Sequence, residues 1–133
     1  MATGQIVTTQ GKLIAFNRLW KAVPDYTTPT LFKVGTGTNT PAIGNTDLQT
    51  PVDITAGVQT KAFASGYPTL DETNLQSLIR SILLTTEGNT NSITEFGIVN
   101  TDGTAKLYSR AVFTPITKTT SVQVIFVQKD KIA

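Results

Sequence analysis

The sequence predicts a mainly β protein, an antiparallel β-sandwich or flattened barrel carrying one N-terminal helix. Three observations lead there. The polar residues are mostly Thr, Asn, Ser and Gln rather than Lys and Glu, and such side chains favour turns and strand surfaces over long solvated helices. Apolar segments with strand-like alternation, separated by turn residues, fill the second half of the chain. Only one stretch near the start has a helical apolar stripe that no strand reading competes with. At 133 residues the chain fits a single domain spanning 1–133, able to bury roughly two thirds of its unfolded surface.

The helix is expected over about 9–23, in "TTQGKLIAFNRLWKAV". Leu13, Phe16, Trp20 and Val23 recur every three or four residues with Leu19 beside them, which makes one apolar stripe. Thr8 or Thr9 caps its start and Pro24 ends it. Trp20 lies on the stripe, so it is expected to pack on the sheet rather than to form a binding platform.

About six strands follow, from about 30 to 129. "TLFKVG" is the first. "QTKAFASGYP" is the second, turning at Gly66 to Pro68. "NLQSLIRSILLTT" has helical spacing at Leu75, Leu78, Ile79 and Ile82, but its flanking turn signals and the strands after it favour a strand. "SITEFGIVNTDGTAKLYSRAVFTPIT" reads as a hairpin with Asp102-Gly103 as its two-residue loop. That register sets Val99 opposite Lys106, Gly97 opposite Tyr108 and Glu95 opposite Arg110. The last pair is a favourable cross-strand ion pair of roughly 0.2–1 kcal/mol if exposed. "SVQVIFVQKD" has apolar residues on both faces and reads as a strand covered on both sides.

The charge is +2 with 15% charged residues, the pI is 9.0, and the cations are scattered. A groove for nucleic acid needs clustered Lys and Arg, so nucleic acid is not an expected partner. No apolar run approaches a bilayer span, so no membrane is expected either. The start lacks the charged and apolar regions of a signal peptide, and the expectation is a chain made in a cytoplasm that stays soluble. Without Cys or His, thiolate ligands, disulfides and the usual nucleophile–base pairs are missing. Asp71 and Glu72 would point to opposite faces of a strand, and Glu95 has a cation partner. No catalytic, metal-binding or cofactor-binding set emerges, and the expectation is a protein that is not an enzyme and uses no cofactor.

"TLFKVGTGTNTPAIGNTDLQTPV" is the least ordinary stretch. Gly35 and Gly37 have no third glycine at dinucleotide-loop spacing and no Gly-Lys-Thr follows. Asn45, Asp47 and Asp53 do not have calcium-loop spacing. The reading is a strand leaving the sheet through a shaped surface loop, with Asp47 or Thr46 capping "DLQT". The loop from Gly35 to Pro51 is expected to be irregular and to make subunit contacts.

Three stretches in collinear order, spanning about 30–120, carry a resemblance. "FKVGTGTNTPAIGNTDLQT" resembles the VGTG-T-TPA-DT-L signature of small tailed-bacteriophage virion structural proteins. "SITEFGIVNTDGT" is similar to the hairpin that follows it there, and "LYSRAVFTPITKT" to the segment after that. Similar arrangements occur in attachment domains of phage tail-fibre and baseplate proteins. The resemblance implies fold-determining or interaction roles for Gly35, Gly37, Pro41, Asp47, Leu48, Glu95, Gly97, Asp102, Gly103, Arg110 and Lys118. It implies a virion location and other virion proteins, of capsid or tail, as partners. Because no shaft or tip region follows the β-domain, capsid decoration is the preferred subclass, with a tail, collar or baseplate adaptor next. Neutral polar loops and free strand edges imply a homo-oligomer or multicopy array. A carbohydrate-binding module using Trp20, Tyr26 and Tyr67 is the alternative from another class, and it requires exposed aromatics.

Overall fold

A five-stranded and a three-stranded antiparallel sheet pack face to face, with one helix beside them, in the computed structural model, which describes residues 4–131. The described elements are β1 (Gly4–Val7), α1 (Thr9–Trp20), β2 (Leu31–Gly35), β3 (Lys61–Ala62), β4 (Thr69–Asp71), β5 (Gln76–Leu83), β6 (Thr90–Val99), β7 (Leu107–Lys118) and β8 (Val124–Lys131). The larger sheet has the order β1-β7-β6-β2-β3 and the smaller one β4-β5-β8. The protein is mainly β, with two packed antiparallel sheets, as the composition and alternation predict. The strands number eight among the described residues rather than six, because β1 and β4 are too short to show alternation. The segment "QTKAFASGYP" holds only the two-residue β3.

The sandwich core is built from alternate residues of facing strands. Phe32 and Val34 of β2 lie opposite Ile98 and Phe96 of β6, and this face meets Ile79 and Leu83 of β5. Phe96 stacks on Phe126 of β8 with ring centroids 4.8 Å apart. β5 is a strand, as the turn signals around it indicated. Ile79, Ser81 and Leu83 point inward on a period of two, which the helical spacing of its leucines obscured.

The strand covered on both sides is β6, not β8. Every residue from Ile93 to Asn100 is buried, because the loop 36–50 covers the outer face of the larger sheet there. A second small core sits on that face, where Leu48 of the loop meets Val99 and Leu107. β8 is instead an edge strand of the smaller sheet. Its Phe126 and Gln128 turn inward while Ile125 and Val127 stay exposed.

The β6–β7 hairpin departs from the expected register. Asn100 N–H donates to Lys106 O and Asn100 Oδ1 accepts from Lys106 N at 2.8 Å, so the connection runs over residues 100–106. Gly97 pairs with Arg110 and Glu95 with Val112. Asp102 is drawn aside: its Oδ1 accepts from Thr27 N and its Oδ2 from Asn100 Nδ2. The longer loop shifts the register by two residues, so the expected opposition of Glu95 and Arg110 is corrected to a diagonal.

The helix also corrects two expectations. It is capped by Thr8, whose hydroxyl accepts from Gly11 N at 3.0 Å, but it ends at Trp20. Asn17 and Asp25 exchange hydrogen bonds that fold the chain back past Lys21, and Pro24 disfavours helix at Val23. More consequentially, α1 buries Gly11 and Ile14 and not the apolar stripe. Trp20 is 73% exposed and Phe16 66%. At about 100° per residue, Leu13, Phe16 and Trp20 point away from the Gly11–Ile14 face. Gly11 sits so close to the Tyr108 carbonyl that a Cβ there would collide with it. The approach of backbone to backbone, rather than hydrophobicity, sets which face turns in.

Candidate functional site

The centre of the site is Glu95, a wholly buried carboxylate on the outer face of β6. Its Oε1 accepts from Arg110 Nε at 2.9 Å and from Gln49 N at 2.9 Å. Its Oε2 accepts from Gly37 N at 2.7 Å and Thr50 N at 2.8 Å. Two oxygens thus satisfy three backbone N–H groups of the loop 36–50 and one guanidinium. A buried charge is tolerable only when paired and hydrogen-bonded in this way.

Arg110, equally buried, spans from Glu95 into the loop. Its Nη2 donates to Asn39 Oδ1 at 2.6 Å and its Nη1 to Asn45 Oδ1 at 3.2 Å. Further ties fix the same loop. Thr94 Oγ1 donates to Gly37 O, Gln49 Oε1 accepts from Thr38 N and Asn39 N, and Lys33 Nζ reaches Asp47 Oδ1 at 2.6 Å. The loop carbonyl of Ile43 accepts from Thr9 N at the helix start. The loop is irregular, as expected, and it is pinned from below.

Most of the residues singled out in the sequence gather here. Gly35 and Gly37 leave room for Glu95 and the returning loop, since a Cβ at either would strike the Glu95 carboxylate. Gly97 opens the space that Leu48 fills. Asp47 holds Lys33 and accepts from Leu48 N rather than capping a helical turn. Pro41 lies half-buried in the loop. The other three stand elsewhere. Asp102 and Gly103 sit in the 100–106 loop, where Gly103 is exposed with open space around it.

Lys118, at the far end of the hairpin, is buried and donates to Asn89 Oδ1 at 2.8 Å. Burial lowers its pKa, and the nearby Glu87 charge opposes that. Glu87 itself is pushed up by burial, but hydrogen bonds from Lys61 Nζ and Leu84 N hold it net below the usual glutamate value. Asn39, Asn45, Gln49 and Thr94 were missed in the sequence. Only their place in a Thr/Asn-rich loop or beside Glu95 could have marked them.

A depression of about 320 Å³ lies between the β4–β5 turn and the end of β8. Leu70, Leu75, Tyr108 and Asp130 line it. Its Asp71 is committed to Asn74 and Thr73. Burial together with the charge and hydrogen bond of Asp130 pushes the Tyr108 phenol up to about 12, away from the range of a neutral-pH acid or base. Among the described residues no group of three acidic side chains could hold a metal ion, and no helix is long and apolar enough to cross a membrane.

The other prominent surface is α1. Leu13, Phe16, Leu19 and Trp20 are exposed along the helix, and Val23 is exposed just past its end. Tyr26, by contrast, is half-buried with Lys106 Nζ 5.1 Å from its ring centroid, and Tyr67 lies in the β3–β4 turn. No family model, curated protein or solved structure matches this chain.

Proposed function

We propose that the chain is a non-enzymatic structural component of a tailed-bacteriophage virion, a small β-domain that docks on a larger assembly after synthesis in the host cytoplasm. Capsid decoration is the preferred subclass, and a tail, collar or baseplate adaptor the next. The observation that carries the reading is the division of labour between inside and outside. The ionisable groups nearest to forming a reactive set, Glu95 with Arg110 and Glu87 with Lys61, are consumed in holding loops. The surface left without a partner is apolar. Lys33, Lys61, Arg110 and Lys118 face carboxylates or oxygen acceptors within the fold, and the remaining cations are scattered along the sequence rather than clustered as a phosphate-binding groove requires.

The residues that carry the virion resemblance support it further, since eight of the eleven named in the sequence converge on the anchored loop. Mass spectrometry of purified particles with copy number tests the reading. Hundreds of copies on the shell indicate decoration, a few to a few tens at one vertex indicate an adaptor, and absence from particles overturns both.

The exposure of Trp20 favours one second reading, a carbohydrate-binding module. Its neighbours Leu13, Phe16 and Leu19 offer nothing to sugar hydroxyls, however, and the Tyr26 ring is half-buried beside Lys106. Quenching of Trp20 fluorescence by a glycan panel would establish that reading, and a panel without effect removes it.

A further inference from the structure

We propose that the exposed face of α1 is the contact surface for a second copy of this chain, the two helices packing antiparallel about a two-fold axis beside Phe16. The inference rests on the assembly reading above and names the partner of one of its surfaces. The first argument is area. Leu13, Phe16, Leu19 and Trp20 on the helix and Val23 just past its end are 42%, 66%, 72%, 73% and 79% exposed, on the order of 500 Å² of apolar surface. That is at the upper end of what a monomer leaves bare. Paired with its own copy, the patch removes about 1,000 Å² before any rim contact is counted, which is the size at which a specific interface becomes plausible.

The second argument is self-complementarity. An isologous contact requires a patch that fits itself under a two-fold rotation. In an antiparallel pair centred between Phe16 and Asn17, Phe16 meets Phe16 of the second copy and Trp20 meets its Leu13. The large residue at one end of the stripe thus covers the small one at the other.

The third argument is charge. The first turn of α1 carries no acidic residue, and its last turn carries Arg18. Asp25 lies just beyond the C-terminal end, bonded to Lys21 and Asn17. Antiparallel packing sets the positive pole of each helix beside the last carbonyls of the other. Parallel packing would set like poles together.

The chain has one tryptophan and no cysteine, so the interface can be read directly. Sedimentation of the full chain over a concentration series should show a monomer–dimer equilibrium, with Trp20 emission shifting to the blue as dimer forms. Phe16→Lys, at an exposed position, should leave the melting temperature of the dilute monomer unchanged while weakening association by about tenfold or more, the loss expected of a central aromatic anchor. Phe16→Cys should cross-link to itself on oxidation, whereas Leu13→Cys should not. The two Leu13 positions lie roughly 10 Å apart along the paired helices, beyond disulfide reach.

A strict monomer at high micromolar concentration, or a dimer in which Trp20 emission and quencher access are unchanged, overturns the proposal. Equal cross-linking at both positions overturns the antiparallel geometry and the proposal with it. A monomer that is nevertheless found in particles overturns this contact alone and leaves the virion reading standing.

Discussion

Glu95 and Arg110 meet through a 2.9 Å hydrogen bond although they are not register partners, since Arg110 pairs with Gly97 and Glu95 with Val112. The guanidinium therefore crosses the sheet on a diagonal. It then continues past Glu95 to Asn39 and Asn45. The pair belongs to the loop as much as to the hairpin.

Removing either charge leaves the other buried without its partner. Glu95→Gln and Arg110→Met should each destabilise the fold by about 3–5 kcal/mol, measured by urea denaturation. Glu95→Gln should also accelerate hydrogen exchange at the Gly37, Gln49 and Thr50 amides, which donate to the carboxylate. Protection retained at those amides would show that the loop is held by something else.

Gly11 and Gly103 should respond in opposite senses to alanine. Helix propensity favours Gly11→Ala by about 1 kcal/mol, but the new Cβ would run into the Tyr108 carbonyl. The substitution should therefore lower the melting temperature. Gly103 has open space around it and is not among the positive-φ glycines, so Gly103→Ala should be neutral or stabilise by about 0.4–1 kcal/mol. A stabilised Gly11→Ala would mean that α1 does not sit tightly on β7.

These contrasts show what could be read before folding. Alternation identified the strands that line the core, and the charge pair in the hairpin was visible as Glu95 and Arg110. The register was not, because Asn100 and Asp102 use their side chains to build a longer loop than Asp-Gly alone suggests. The helix was evident from its stripe, yet a stripe says only that one face is apolar. Which face packs was decided by a two-residue contact, Gly11 and Ile14, that leaves no periodic signal. Asn39, Asn45 and Gln49 were invisible for a similar reason, since an irregular loop has no period from which to infer direction.

The loop 36–50 should bind neither nucleotide nor calcium. Both Glu95 oxygens are occupied by donors, and Asp47 is engaged by Lys33 and by Leu48 N. Titration with ATP or Ca²⁺ should leave the melting temperature unchanged, because a ligand that binds only the native state must raise it. A rise of several degrees would overturn this expectation.

On the acid side, Glu87 should contribute to the loss of stability. Its folded pKa lies below the ordinary value of 4.5, so the folded state binds fewer protons than the unfolded one in that window. Its contribution is complete above pH 4.5 and is lost as pH falls through the folded value. Glu87→Gln should flatten the acid limb of a stability–pH curve, and an unchanged limb would assign that loss to other carboxylates.

On the alkaline side the sign is reversed, and Tyr108 is the group to follow. Burial, the Asp130 charge and the Asp130 hydrogen bond raise its pKa from 10.0 to about 12. The folded state then holds the phenolic proton that the unfolded chain has released, so stability should fall as pH rises from 10.0 towards 12. Lys118 acts oppositely. Burial lowers its pKa from 10.5, against the Glu87 charge, so the folded state binds fewer protons and stability rises with pH up to about that value. The two effects overlap below 10.5, and the interval from 10.5 to 12 reports on Tyr108. Denaturation across that interval should show a decline that Tyr108→Phe makes shallower and Lys118→Met leaves in place. A decline equally steep in Tyr108→Phe would mean that the phenol is not sequestered beside Asp130.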